Sequence, residues 1–95
     1  MIETIIFDEH CVGWTNKADL NKMFLALQES YIKSMLERSG YRYSNQIYEV
    51  YGAPWDPREK TNNCYLVENG ELVFEYDLFS NGVIVITIRQ MKQDA

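Results

Sequence analysis

Glu71-Leu72-Val73-Phe74-Glu75-Tyr76-Asp77-Leu78-Phe79-Ser80-Asn81-Gly82-Val83-Ile84-Val85-Ile86-Thr87-Ile88-Arg89 is the stretch whose reading decides the fold. Apolar residues recur at every second position in both halves, the period of a strand with one buried face. The loop between the halves sets the register. A two-residue Asn81-Gly82 loop would place Ile84, Ile86 and Ile88 opposite Phe79, Asp77 and Glu75, burying acids or exposing three isoleucines. A three-residue Ser80-Asn81-Gly82 loop, with Gly82 in the left-handed bulge position, instead aligns Leu72, Phe74, Tyr76 and Leu78 with the isoleucine row. The three-residue form is therefore predicted.

Residues 64–68 alternate in the same way, and Asn69-Gly70 is the preferred dipeptide of a two-residue type I′ turn. Residues 64–68, Glu71–Leu78 and 83–89 are accordingly expected to form a three-stranded antiparallel meander. Ile2–Phe7 is apolar at nearly every position, which predicts a strand covered on both faces. It is expected to add to the sheet edge beside 83–89. Residues 91–95 read as a frayed tail.

Between these strands, Leu20, Met23, Phe24, Leu27, Tyr31, Met35 and Leu36 recur at spacings of three and four, which predicts a long helix buried along that side. Its start is read at Thr15 or Asn16. Lys17, Asn21, Lys22, Gln28, Glu29, Lys33, Glu37 and Arg38 fall on the opposite, solvated side, and Gly40 ends the helix. Ser44–Tyr51 is compatible with a strand or a helix. Ser44 as N-cap and Gly52 as the residue past the end favour a short helix. Residues 53–63, with Pro54 and Pro57, read as a surface loop. The fold class is thus α+β: an N-terminal strand with one long and one short helix packed on a C-terminal antiparallel meander, as a two-layer sandwich and a single domain over 1–95.

The stretch Gly40-Tyr41-Arg42-Tyr43-Ser44-Asn45-Gln46-Ile47-Tyr48-Glu49-Val50-Tyr51-Gly52, followed by Trp55-Asp56-Pro57, resembles a pattern in small uncharacterised proteins of bacterial phages and mobile elements. The resemblance covers the middle third of the chain. It implies a helix end, a tight connection, a second short helix and a glycine, together with a mobile-element origin. It carries no activity.

Composition narrows the function classes. With 46% hydrophobic and 24% charged residues the chain is a folding sequence, not a disordered one. Fourteen acids against nine bases leave a net charge of −5, which argues against direct nucleic-acid binding, since that requires clustered Lys and Arg. Cys11 and Cys64 are too few and too far apart for a disulfide framework, so both read as buried thiols. The N-terminal residues have neither a basic flank nor a long apolar run. No signal peptide or membrane span is read there, and the expected compartment is the cytoplasm.

No catalytic constellation emerges. His10, the one histidine, sits beside Cys11, and adjacent residues of an extended segment point to opposite faces. Asp8, His10 and Cys11 supply three donor types in one short stretch with no second cluster to complete a metal site. The five glycines are scattered singly, so no phosphate-cradling loop is read. No cofactor or metal is expected.

What remains is surface. In the predicted meander, the face opposite the isoleucines carries Leu66, Val73 and Val85 as an apolar centre and Glu68, Glu71, Glu75 and Asp77 as an acidic rim. Trp55, on the proline loop, is a further anchor candidate. The expected function is a non-enzymatic protein-binding module with a basic protein partner, such as a phage or mobile-element accessory or inhibitor protein. The alternatives are a homodimer formed through the same face and a small-ligand domain with a pocket lined by Trp14, Tyr48 and Trp55.

Overall fold

The computed structural model describes residues 2–92. The chain runs through β1 (Ile2–Phe7), α1 (Ala18–Ser39), β2 (Tyr41–Tyr43), α2 (Ser44–Tyr51), β3 (Cys64–Leu66), a 3-10 turn (Val67–Asn69), β4 (Glu71–Leu78) and β5 (Ile84–Met91). It is a compact α+β fold with an N-terminal strand, two helices and a three-stranded antiparallel sheet. The strand order is β1-β5-β4. The β4–β5 hairpin has the predicted three-residue loop: Leu78 lies opposite Ile84, and the Phe79 amide donates to the Val83 carbonyl at 2.9 Å. Gly82 takes φ 88°, a conformation that side chains with a Cβ rarely adopt. Β5 continues to Met91, opposite Glu71. Residues 93–95, the end of the expected tail, lie outside the described residues.

The strand next to β5 on its other side is β1, paired from Ile2 opposite Arg89 to Phe7 opposite Ile84. The expected hairpin between 64–68 and β4 does not form. Β3 pairs instead with β2, Tyr41 opposite Leu66 and Tyr43 opposite Cys64. Two contacts hold the chain in this path: the Val67 amide donates to the Gly40 carbonyl at 2.9 Å, and the Gln90 side chain reaches the Leu66 and Gly70 carbonyls. Gly70 is used for closeness, because a Cβ there would overlap the Met91 carbonyl.

Β1 is also not covered on both faces. Glu3, Ile5 and Phe7 are buried, while Ile2, Thr4 and Ile6 are exposed. The inner residues of β1 join Ile84, Ile86, Ile88 and Leu72 beneath the two helices. Α2 brings Ile47, Tyr48 and Tyr51 to this core, in agreement with the predicted helix, and Gly52 ends it in the left-handed conformation. Ser44 is the first residue of α2 rather than its cap. Its amide donates to the Asn63 carbonyl, and the Tyr43 amide donates to the Gln46 side chain.

Α1 meets the core along a different side from the one its apolar spacing suggests. Asn21, Leu25, Ile32 and Leu36 are buried, whereas Leu20, Met23, Leu27 and Tyr31 are about half to two-thirds exposed (47%, 62%, 65% and 52%). Asn21 explains the rotation. Its side chain accepts from the Thr15 amide and hydroxyl at 2.9 Å each and donates to the Thr15 carbonyl at 2.9 Å, fastening the loop before the helix. A polar residue therefore occupies a core position with its hydrogen bonds satisfied. This arrangement predicts a contrast between two leucines two residues apart. Leu25→Ala will cost about 2–5 kcal/mol in urea unfolding, and Leu27→Ala less than about 1 kcal/mol. Equal losses would contradict the observed helix face.

Candidate functional site: the open face of the sheet

The register of β1, β5 and β4 builds the second face of the sheet as three rows. Ile2, Arg89 and Val73 form the first, Thr4, Thr87 and Glu75 the second, and Ile6, Val85 and Asp77 the third. Ile2 and Ile6 are 58% and 56% exposed. Glu75, Asp77 and Arg89 are exposed, and Val73, Val83, Val85 and Thr87 are half-buried by their strand neighbours. Among the described residues, no element lies across these rows.

The acids of the face lie on β4, with Val73 among them; β1 contributes Ile2 and Ile6, β5 contributes Val85 and Arg89, and Val83 stands just before β5. The Arg89 guanidinium lies 3.8 Å from the Glu75 carboxylate, an exposed pair worth little to stability but able to order the face. An apolar field bordered on one side by acids suits a surface with apolar residues flanked by Lys or Arg.

Five of the residues expected to form a binding patch, Glu71, Val73, Glu75, Asp77 and Val85, meet on this face. Leu66 and Glu68 do not, because β3 left the sheet for β2; Leu66 lies in the small two-stranded sheet and Glu68 in the 3-10 turn. Trp55 is elsewhere too. It packs edge-on against Tyr48 with ring centroids 5.0 Å apart, at the margin of the core. Trp14 packs on Phe7 at 5.6 Å, away from the Tyr48–Trp55 pair, so the three aromatics expected to line a pocket are divided between two places. Ile2, Thr4 and Ile6 belong to the face although the sequence reading placed them in a strand covered on both sides. The sequence carried no signal for them, because Glu3 and Thr4, the two polar residues of the run, fall on opposite faces and Glu3 is buried.

The cysteine–histidine segment is arranged for folding. The His10 ring is exposed and 3.3 Å from the Asp8 carboxylate. The Cys11 thiol is turned inward to the Ile6 carbonyl at 3.4 Å, and burial raises its pKa, keeping it protonated. Cys64 is a half-buried free thiol. Among the described residues, no three His, Cys, Asp or Glu side chains gather as metal ligands.

A second polar constellation lies inside the molecule. The buried Glu3 carboxylate accepts from the Ser44 hydroxyl, from the Tyr65 hydroxyl at 2.7 Å and from the Asn63 amide at 3.2 Å. Ser44 and Tyr65 are fully buried. The cluster ties β1 to the start of α2 and to β3, a fastening role for groups enclosed from solvent.

Burial, reinforced by the Glu3 contact, pushes the Tyr65 hydroxyl above the ordinary tyrosine range. Burial acts similarly on Tyr51 and, together with a 2.6 Å hydrogen bond to Glu29, on Tyr76. The folded chain thus holds these protons more tightly than the unfolded one. Their contribution to stability is fully present below about pH 10 and declines as pH rises beyond it. The urea midpoint is expected to fall between about pH 8 and about pH 11, and Tyr65→Phe is expected to lessen that fall. A midpoint that holds over this interval would contradict the buried, protonated state of the Tyr51 and Tyr65 hydroxyls.

No helix among the described residues is long and apolar enough to cross a membrane. Compared with protein-family models, with curated proteins and with solved structures, the chain matches none.

Proposed function

We propose that this chain is a non-enzymatic protein-binding module that docks a partner protein on the open face of the sheet. The observation that carries the reading is the uncovered set of rows: exposed Ile2 and Ile6 beside half-buried Val73, Val83 and Val85, bordered by Glu71, Glu75 and Asp77. Ile2 and Ile6 share one face of β1 with Thr4 between them, and covering them together with Val85 would remove apolar surface from water. The acids on β4, in a chain of net charge −5, favour a partner that brings basic groups to that side. The resemblance of residues 40–57 to small proteins of phages and mobile elements supports such an origin alone; the accessory or inhibitor role rests on the binding face.

The test uses Ile6→Lys, which puts a charge in the apolar field at an exposed edge-strand position. Its stability is expected to stay within about 1 kcal/mol of the parent. A partner captured by the parent chain in a salt-sensitive manner is expected to bind the variant at least about tenfold more weakly. Undiminished binding would refute the reading. Light scattering across a concentration series gives the independent check. A dimer dissociated by Ile6→Lys would assign the face to a second copy of the chain and overturn the heterologous partner.

A further inference from the structure

We propose that the outer edge of β4 accepts an extended segment of the partner, in which basic and apolar side chains alternate, as a fourth strand of the sheet. This rests on the protein-binding reading above and names the chemistry of the partner.

Burial across the inner rows shows where the helices stop. Ile5 is 1% exposed, Ile86 0% and Tyr76 40%; in the next row Phe7 is 0%, Ile84 4% and Leu78 59%. The helices therefore cover β1 and β5 in these rows and leave the Tyr76–Leu78 end of β4 open, while α1 packs on its Leu72–Phe74 end. Both β1 and β4 are terminal strands of the sheet. On β1, the Tyr48 hydroxyl donates to the Thr4 carbonyl at 2.9 Å, bringing α2 against that strand. Β4 is open at its Tyr76–Leu78 end.

Two grooves lie between α1 and β4. One, of about 460 Å³, is lined largely by Leu25, Ala26, Tyr76, Leu78 and Ile84. The other, of about 400 Å³, combines Leu36, Val67 and Leu72 with a charged rim that holds both acids and the lysines Lys33 and Lys92. Between them the Tyr76 hydroxyl donates to Glu29, and the Lys33 ammonium stands 5.5 Å from the centre of the Phe74 ring. A strand laid along β4 would turn alternate side chains to this inner flank, where the grooves offer apolar sites. Its other side chains would continue the open face beside Glu71, Glu75 and Asp77.

Charge selects the occupant. Β4 contains three acids and no base. Antiparallel pairing of two β4 strands centred on Val73, Phe74 or Glu75 would set Glu71 against Glu75, Glu71 against Asp77 or Glu75 against itself. Like charges directly opposite are destabilising, so the edge resists a second copy while attracting a strand with Lys or Arg at its outward positions.

The experiment uses the full chain and three capped octapeptides: one alternating Lys with Val, one alternating Glu with Val, and the Lys-Val peptide N-methylated on both edges. The Lys-Val peptide is expected to slow amide exchange within Glu71–Leu78 at least tenfold and to shift the Tyr76 and Leu78 side-chain signals. The Glu-Val peptide is expected to do neither. N-methylation preserves the charge but blocks main-chain bonding and should abolish the protection. The double variant Glu75→Lys with Asp77→Lys should weaken binding at least tenfold at unchanged thermal midpoint. Unchanged β4 exchange, or equal protection by the N-methylated peptide, overturns the proposal. Signal shifts confined to Ile2, Thr4, Ile6 and Val85 would overturn the edge while leaving the open face as the docking surface. Failure of the open-face reading is registered separately, by Ile6→Lys.

Discussion

The antiparallel pairing of Ile2–Phe7 with Ile84–Arg89 brings the two ends of the described chain together, and it is through this pairing that Glu3, Ile5 and Phe7 enter the core. Closing such a long loop costs chain entropy that local contacts do not recover. Burial of Ile5, Phe7, Ile84, Ile86 and Ile88, each worth about 1.5–3 kcal/mol, opposes that cost. The same pairing determines the exposed surface. Because strand side chains alternate, fixing Ile5 and Phe7 inward fixes Ile2, Thr4 and Ile6 outward, beside Val85 and Thr87.

The polar cluster around Glu3 makes this arrangement specific. An isolated carboxylate beneath the helices would be expensive, but three donors from α2, the loop before β3 and β3 itself converge on it. Β1 is thereby held not only by its neighbour in the sheet but also by the second layer. That attachment links the small β2–β3 sheet to the main one and leaves the connection through Val67–Asn69 to turn the chain into β4.

Much of this was legible in the sequence. The β4–β5 register followed from the cost of burying Asp77 and Glu75 or exposing three isoleucines, and Gly82 marked its turn. Α2 was readable from its punctuation, since Gly52 stops a segment whose tyrosines alone would permit a strand. The buried side of α1 was obscured because it has apolar residues on more than one side and uses Asn21 at a core position. Only tertiary contacts distinguish Leu25 from Leu27. Asn69-Gly70 carries a strong local hairpin signal, yet β3 pairs with β2 and β4 is left a terminal strand, while β1 lies beside β5 as expected. Consequently Glu71, Val73, Glu75, Asp77 and Val85 were correctly brought together, Leu66 and Glu68 were drawn in by the wrong pairing, and Ile2 and Ile6 were missed.

The open face is built on β1, β5 and β4, and β4 is a free edge because residues 64–66 pair with β2. Interstrand nuclear Overhauser contacts provide the most direct test. The account predicts cross-strand contacts joining Ile2 with Arg89, Thr4 with Thr87 and Ile6 with Val85, and joining Tyr41 with Leu66 in the small sheet. Contacts joining Leu66 with Val73 and Glu68 with Glu71, the signature of a hairpin at Asn69-Gly70, would contradict it.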